Sequence, residues 1–491
     1  MPQNVPPGKS AEQSPGHGSH TCARGERPVH LDPWRQGAGR ARRTSRHEHD
    51  AVEAPLEKLD LGLEELLANR IGEGCGEQDE GSGARHGIHL GVTAVAPQAT
   101  RRDVWRRFDA IPALGYPSAM PIPQADLFAQ HQGIRAEIDA AIRSVIDSSA
   151  FVRGPELSAF EAEFAAFCEV PHAVGVGNGT DALALCLRAL GIGPGDEVAT
   201  VPFTFAATVE AICHVGATPV LVDIEPCTCT MDPQALGRVL DTHPRVRAVL
   251  PVHLYGQPAA MDDIGALAAR AGAAVIEDAA QAHGARYRGA RVGGIGTLAA
   301  FSFYPGKNLG ALGDAGAVTT RDAALAEAVA LLRDHGQPRK YTHDRIGFNS
   351  RLDGIQAAVL RVKLRHLEAW NARRRALAAS YEQALAGLSG IDVLGAADDR
   401  ESVYHLFVIR SADRDALQAH LAARDIATAI HYPIPLHLQP GFVFLGYRGG
   451  AFPVSERCAQ EVLALPLYPE MTDETLHEVC AAVREWVERR R

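Results

Sequence analysis

The chain has 491 residues, 46% hydrophobic and 22% charged, with 49 basic against 59 acidic side chains and a formal net charge of −10. That composition belongs to a globular chain long enough for two or three domains, and its acidic balance argues against a nucleic-acid binder or an anionic-membrane partner. No apolar run approaches the ~18 residues of a membrane span. The N-terminal MPQNVPPGKSAEQSPG lacks the apolar stretch of a secretory signal, and nine scattered cysteines suit reduced thiols, so a cytoplasmic protein is expected.

Residues 1–118 are rich in Gly, Pro, Arg and His, with one short helical pattern near residues 56–70. Such a segment buries too little apolar surface to offset its ordering entropy, which predicts either disorder or an extension preceding a true start at Met120. Its basic stretch, Arg35–Arg46, reads as a solvated tail rather than a nucleic-acid arm. From Met120 the texture becomes regular. Helices are expected over residues 133–148 and 156–168. Short apolar strands then alternate with helices: AVGVGN with TDALALCLRAL, EVATV with FAATVEAICHVG, PVLVDI with a helix from Pro233, and RAVLPVHL with MDDIGALAARAG. AAVIEDAA, LAAFSFY and GAVTT continue as strands. This order predicts an α/β fold with a mostly parallel sheet between helices, which binds ligands at the carboxyl ends of its strands. A long helix from Asp353 to near Leu385, a strand VYHLFVIR (403–410) and a helix from Asp413 to Ala423 form a smaller α+β part. The domains are therefore drawn at 119–350 and 351–491.

Only five of the 49 basic residues are lysines: Lys9, Lys58, Lys307, Lys340 and Lys363. An amine can lose its proton and attack a carbonyl, which a guanidinium does not do. Lys307, in FSFYPGKNLGALGDAG, follows an apolar strand inside a glycine-rich loop. It is no P-loop lysine, because Phe301 and Asn308 occupy the positions that motif reserves for Gly and Ser/Thr. Lys340, in a polar loop, and Lys363, on the long helix, are less suited to a buried reactive amine. VGVGNGTDAL runs strand, turn, helix and offers an anion site at the helix start near Thr180. Glu277-Asp278 ends another apolar strand, where an ionised pair needs a partner; a structural ion pair and a carboxylate that keeps a pyridinium protonated are both open. An amine, a carboxylate and a phosphate cradle at one sheet edge suit pyridoxal phosphate. Cys227-x-Cys229 lacks a second ligand pair, so no metal site is expected.

GNGTDAL, PFTFAATVEA, VHLYGQPAAMD, IEDAAQAHGA, FSFYPGKNLGALGDAG and GFNSRLDGIQAAVL, in this order, resemble the sugar aminotransferases of the DegT/DnrJ/EryC1/StrS family over about Pro121–Arg491. The resemblance implies the aspartate-aminotransferase-like fold type I and a homodimer with sites at the subunit interface. It implies Lys307 as the Schiff-base lysine, Asp278 at the pyridine nitrogen, Gln281 near the ring oxygen and Phe205 on the ring face. Gly179, Thr180 and Ser302 would bind the phosphate, with Asn349 reaching in from the other subunit. Relatives that act as dehydratases carry histidine at the Schiff-base position, so Lys307 implies amino transfer, by family habit from glutamate to a nucleotide-linked keto-deoxysugar. HLYGQPAAMDD and IHYPIPLHLQP most resemble members that aminate C-3, with Tyr304, His431 and Tyr432 bordering the sugar. C-4 amination, dehydration and a non-catalytic regulatory or ligand-binding protein are the alternatives.

Overall fold

The computed structural model describes residues 122–490. The expectations for residues 1–118, including the short helix, the basic stretch and a start at Met120, lie outside the described residues, as do Lys9 and Lys58. Helices α1 (Leu127–Gly133), α2 (Arg135–Ser148) and α3 (Pro155–Phe167) open the described chain. An alternation follows: β1 (His172–Val176), α4 (Gly179–Ala189), β2 (Glu197–Thr200), α5 (Ala207–His214), β3 (Thr218–Leu221), α6 (Pro233–Thr242) and β4 (Val246–Val249). It continues through α7 (Met261–Ala271), β5 (Ala274–Asp278), the short β6 (Arg286–Tyr287) and β7 (Ala290–Arg291), β8 (Leu298–Ser302) and β9 (Gly316–Thr320).

Seven of these strands form one sheet in the order β1-β9-β8-β5-β4-β2-β3. The run β8-β5-β4-β2-β3 is parallel, and β9 enters antiparallel between β8 and β1. The sheet is mostly parallel, as its near-continuous apolar strands foretell: β2 and β9 are buried at every position. Helix α4 is buried at six consecutive residues, Ala182–Leu187, because the sheet lies under one face and neighbouring helices cover the rest. At roughly 1.5–3 kcal/mol for each buried Leu or Val, this layer is the firm base from which the strand-end loops project.

After α8 (Ala323–Leu332) comes α9 (Gly354–Leu385), whose 32 residues extend about 48 Å. It packs on α2 and α3 and, near its end, on α12 (Asp473–Glu488). β10 (Asp392–Val393), β12 (Phe407–Arg410) and β13 (Val462–Leu465) form a three-stranded antiparallel sheet, flanked by α10 (Arg414–Ala422) and α11 (Pro453–Glu461). β11 (Arg400–Glu401) pairs with β6.

One expected strand is half its length. VYHLFVIR reads as eight extended residues, but only Phe407–Arg410 are strand. Tyr404 adopts φ 41°, and the turn carries Val403 to the carbonyl of Gly256, which accepts its amide at 3.1 Å. An alternating apolar pattern cannot reveal a turn whose hydrogen bonds are made to a distant loop.

Candidate active site

The carboxyl ends of β5, β8 and β2, with the start of α4, converge on Lys307. Its loop leaves β8 and folds tightly, the Lys307 amide donating to the Tyr304 carbonyl at 2.8 Å. Gly310 permits that fold, since a Cβ there would fall 2.2 Å from the Pro305 oxygen. The next residue is the anchor. Asn308 Nδ2 donates to Asn371 Oδ1 at 2.9 Å and to the Val403 carbonyl at 3.0 Å, while its Oδ1 pairs with His405 Nδ1 at 3.1 Å. Buried on all sides and bonded through both amide ends, Asn308 ties the lysine loop to α9 and to the 403–405 turn.

Burial pushes the Lys307 amine down to about 8, against the opposing pull of the Asp278 carboxylate. Asp278, at the end of β5, is itself buried. It accepts Thr208 Oγ1 at 2.8 Å and the Ala280 amide at 3.2 Å. Burial raises its pKa, and those two bonds together with the Lys307 charge restrain the rise. Thr208 in turn lies 3.0 Å from Thr204 Oγ1, so α5 presents its first turn to the carboxylate. Glu277 points the other way, as adjacent strand residues must. It accepts the amides of Gly293, Ile295 and Gly296 at 3.1, 2.9 and 2.8 Å and pairs with His253 at 3.1 Å.

Asn178 caps α4 by accepting the Asp181 amide at 2.8 Å. Among the described residues no side chain takes the amides of Gly179 and Thr180, which remain at the positive end of the helix. Gly179 abuts Ser302 at the end of β8, and a Cβ on it would stand 2.6 Å from the Ser302 Cβ. Two amides, a hydroxyl and a backbone that a methyl group would fill make a cradle for an oxyanion.

Gln281 Oε1 accepts the Tyr255 amide at 2.7 Å, and its Nε2 donates to Tyr432 Oη at 3.3 Å. Tyr255 Oη donates to the His431 carbonyl, so one tyrosine holds both Gln281 and the 431–432 segment. Burial and the Lys307 charge lower the His431 pKa, and its Nδ1 is buried without a hydrogen-bond partner among the described residues. Phe205 is 59% exposed at the rim, its ring 6.1 Å from that of Tyr432.

Lys307, Asp278, Gln281, His431, Tyr432 and Phe205 thus line one end of the sheet, with the Gly179–Thr180–Ser302 cradle at the same edge. Tyr304 and Asn349 do not join them through contacts within this chain. Tyr304 is 59% exposed, and Asn349 lies on an exposed segment bridged to Asp334. Its neighbour Ser350 accepts the Gly177 amide at 3.1 Å, two residues before Gly179.

Sequence reasoning missed Thr208, Tyr255, Asn308 and His405. Thr208 lies in the first turn of α5, but Thr204 precedes that helix, so no helical spacing in PFTFAATVEA marks the pair. His283 was missed too: it is wholly buried between Phe301 and Phe303, and burial with the Lys307 charge takes it down to about 3. One expectation needs correction. Lys363 is fully buried, its Nζ 2.9 Å from His131 Nε2, and burial lowers it to about 8 as well. A long helix conceals an amine as well as a strand-end loop does when another helix, here α1, packs over it.

A family model for the DegT/DnrJ/EryC1/StrS aminotransferase family matches residues 132–484. The chain is 52% identical over 368 residues to the dTDP-3-amino-3,4,6-trideoxy-alpha-D-glucose transaminase of Streptomyces venezuelae, covering 75% of this chain and 97% of that protein. Among solved structures, S. venezuelae DesV in complex with a ketimine intermediate matches with a TM-score of 0.74 at 52% identity, over 75% of this chain and 99% of that one. Ntda from Bacillus subtilis with bound cofactor PMP matches with a TM-score of 0.68 at 32% identity, over 72% and 82% of the two chains.

Proposed function

Because the chain belongs to the DegT/DnrJ/EryC1/StrS aminotransferase family, we propose that it transfers an amino group from glutamate to C-3 of a nucleotide-linked keto-deoxysugar. Its cofactor is pyridoxal phosphate, which when bound supplies an electron sink for cleavage of the bond to the transferred proton. The residues present suit that group: an amine, a facing carboxylate and an oxyanion cradle lie at one sheet edge. Lys307 Nζ holds it covalently. Asp278 would face the ring nitrogen and keep a proton there, with Thr208 Oγ1 and the Ala280 amide donating to its carboxylate.

Gly179, Thr180 and Ser302 would take the phosphate, Phe205 would cover the ring face, and Gln281 would lie near the ring oxygen. Lys307, as an amine of lowered pKa, would accept and return the proton that the transfer moves. An amine at about 8 is roughly one-tenth neutral at pH 7, so it can both accept and return a proton. His431, Tyr432 and Tyr304 border the sugar. Asn349, exposed in the single chain, completes the phosphate site of a second copy, which makes the working form a homodimer. We place the domain division at about residue 350, ahead of α9, and the enzyme in the cytoplasm.

The observation that carries this reading is the placement of Lys307, the hydrogen-bonded Asp278 carboxylate and the Gly179–Ser302 cradle at one edge of the sheet. The test incubates the pyridoxal phosphate-loaded protein with glutamate and 3-keto or 4-keto dTDP- and UDP-sugars, and follows the amino sugar by mass. Amination of a 3-keto substrate is expected. Amination confined to 4-keto sugars overturns the C-3 assignment, and none with any keto-sugar overturns the whole reading.

A further inference from the structure

The segment EPCTCTMD, between β3 and α6, has no part in the amino transfer. It closes on itself: Ile224 and Met231 form a bridge, the Glu225 amide donates to the Thr230 carbonyl at 2.8 Å, and the Cys229 amide donates to the Glu225 carbonyl at 2.9 Å. Cys229 sits in the left-handed region at φ 55°, which favours glycine, so its neighbours hold it there. Asp223 binds this loop to α11, accepting the Val454 and Ser455 amides at 3.0 Å each and Ser455 Oγ at 2.6 Å.

One turn further along α11, Cys458 Sγ lies 3.6 Å from Cys229 Sγ, both thiols being free and buried. Arg410, from β12, donates Nη1 to the Pro226 carbonyl at 2.9 Å, and its Nε is buried without a hydrogen-bond partner among the described residues. The Cys229 thiol donates to Cys458, and this bond with the Arg410 charge holds Cys458 below the ordinary thiol range. The same bond and burial push Cys229 up. The geometry is that of a dithiol that can close: two free sulfurs in contact, with the Arg410 cation beside Cys458.

We propose that Cys229 and Cys458 form a modification site, a dithiol that a peroxide converts reversibly to a disulfide joining the loop after β3 to α11. Cys458 gives up its proton, and its sulfur attacks one peroxide oxygen. The O–O bond breaks, and the departing hydroxide takes up the proton that Cys458 gave up and leaves as water. Cys229 sulfur then attacks the resulting sulfenic acid. The S–S bond forms, the S–O bond breaks, and the hydroxyl leaves with the Cys229 proton as a second water. Two thiols lose two electrons to one peroxide. Side-chain rotation closes the gap from 3.6 Å to the ~2.05 Å of the bond.

The link would tie together segments 229 positions apart. Beside it lies Tyr255, whose burial and nearness to both thiols raise its pKa and whose hydroxyl holds the His431 carbonyl. The exposed Cys227 takes no part in the step.

The test treats the holoenzyme with hydrogen peroxide, quenches in acid, alkylates under denaturing conditions and maps peptides by mass. The expected product is a cross-linked pair containing Cys229 and Cys458, two hydrogens lighter, abolished by dithiothreitol, with a raised melting temperature before reduction. It persists in Cys227→Ser and is lost in Cys458→Ser. The wild-type map decides by itself, whatever the variants' stability. Recovery of Cys229 and Cys458 as separate alkylated peptides under conditions that oxidise Cys227, or a link that includes Cys227, overturns the proposal.

Discussion

Replacing Gly179 by alanine tests the cradle directly, because every other consequence of that change is mild. Gly179 opens α4 outside the left-handed region, so alanine needs no unusual backbone there. Helix propensity alone favours alanine by up to about 1 kcal/mol. The opposing term is steric. The new methyl would stand 2.6 Å from Ser302 Cβ and 3.2 Å from its Cα and Oγ, where ordinary contacts begin near 3.4 Å. The α4 start and the β8 end must therefore part by close to an ångström, and overpacking of that kind costs about 1–3 kcal/mol. That parting falls between the groups assigned to the phosphate, so pyridoxal phosphate should dissociate roughly 5- to 150-fold more readily. Equilibrium dialysis followed at the cofactor absorbance measures this, with the melting temperature of the apoprotein as a check on folding. Gly265→Ala is the control, because its methyl meets nothing within 4 Å inside α7; it should leave binding unchanged. A folded Gly179→Ala protein that retains the cofactor within twofold of wild type would refute the cradle.

Four further outcomes follow from the same geometry. Lys307→Ala should abolish amino transfer while the protein stays folded by circular dichroism; substantial turnover would remove Lys307 from its role. Thr208→Val deletes a 2.8 Å bond to a buried carboxylate, worth about 1.5–3 kcal/mol, so kcat/KM should fall about 10- to 150-fold and recover in Thr208→Ser; a Val variant with normal kcat/KM counts against the positioning. Asn349→Ala should weaken cofactor retention if Asn349 completes the site of a second copy as proposed, and unchanged retention would withdraw its contribution. In the apoprotein, Lys307 binds its proton less tightly when folded than when unfolded, so it destabilises the fold fully below about pH 8 and ceases to as pH rises towards 10.5. Denaturant titration of Lys307→Met should therefore show a gain of about 3 kcal/mol at neutral pH that vanishes above pH 10.5, and a gain independent of pH would contradict the depressed amine.

Much of the scaffold was legible because its signals are local. Apolar strands buried on both faces, helices opened by Asn178 or Asp232, and a glycine loop after β8 all follow from neighbours in sequence. What stayed hidden depends on distant partners. The 403–406 turn exists because Gly256 and Asn308 bind it, and neither leaves a mark on VYHLFVIR. Tyr255 could not be singled out, since its work is done on Gln281 and His431, 26 and 176 positions away. The acidic pair ending β5 had two readings, an ion pair and a site carboxylate. The strand's alternation gives one to each neighbour: Glu277 fastens His253 and three amides, and Asp278 faces Lys307.

The two buried lysines show which of these features matters for the chemistry. Lys307 and Lys363 are both brought to about 8 by burial. A depressed amine therefore marks burial, not function. Lys363 Nζ meets His131, and the acid that acts on it, Glu470, is raised by burial just as Asp278 is, so the two acids differ in position and not in the direction of their shift. Lys307 instead faces Asp278, whose carboxylate is kept available by a hydroxyl and an amide and stands at a strand end beside an oxyanion cradle. It follows that the rarity of lysine narrows the search only to a few positions. The choice among them rests on the carboxylate, and hence on Thr208, which secures it from the first turn of α5.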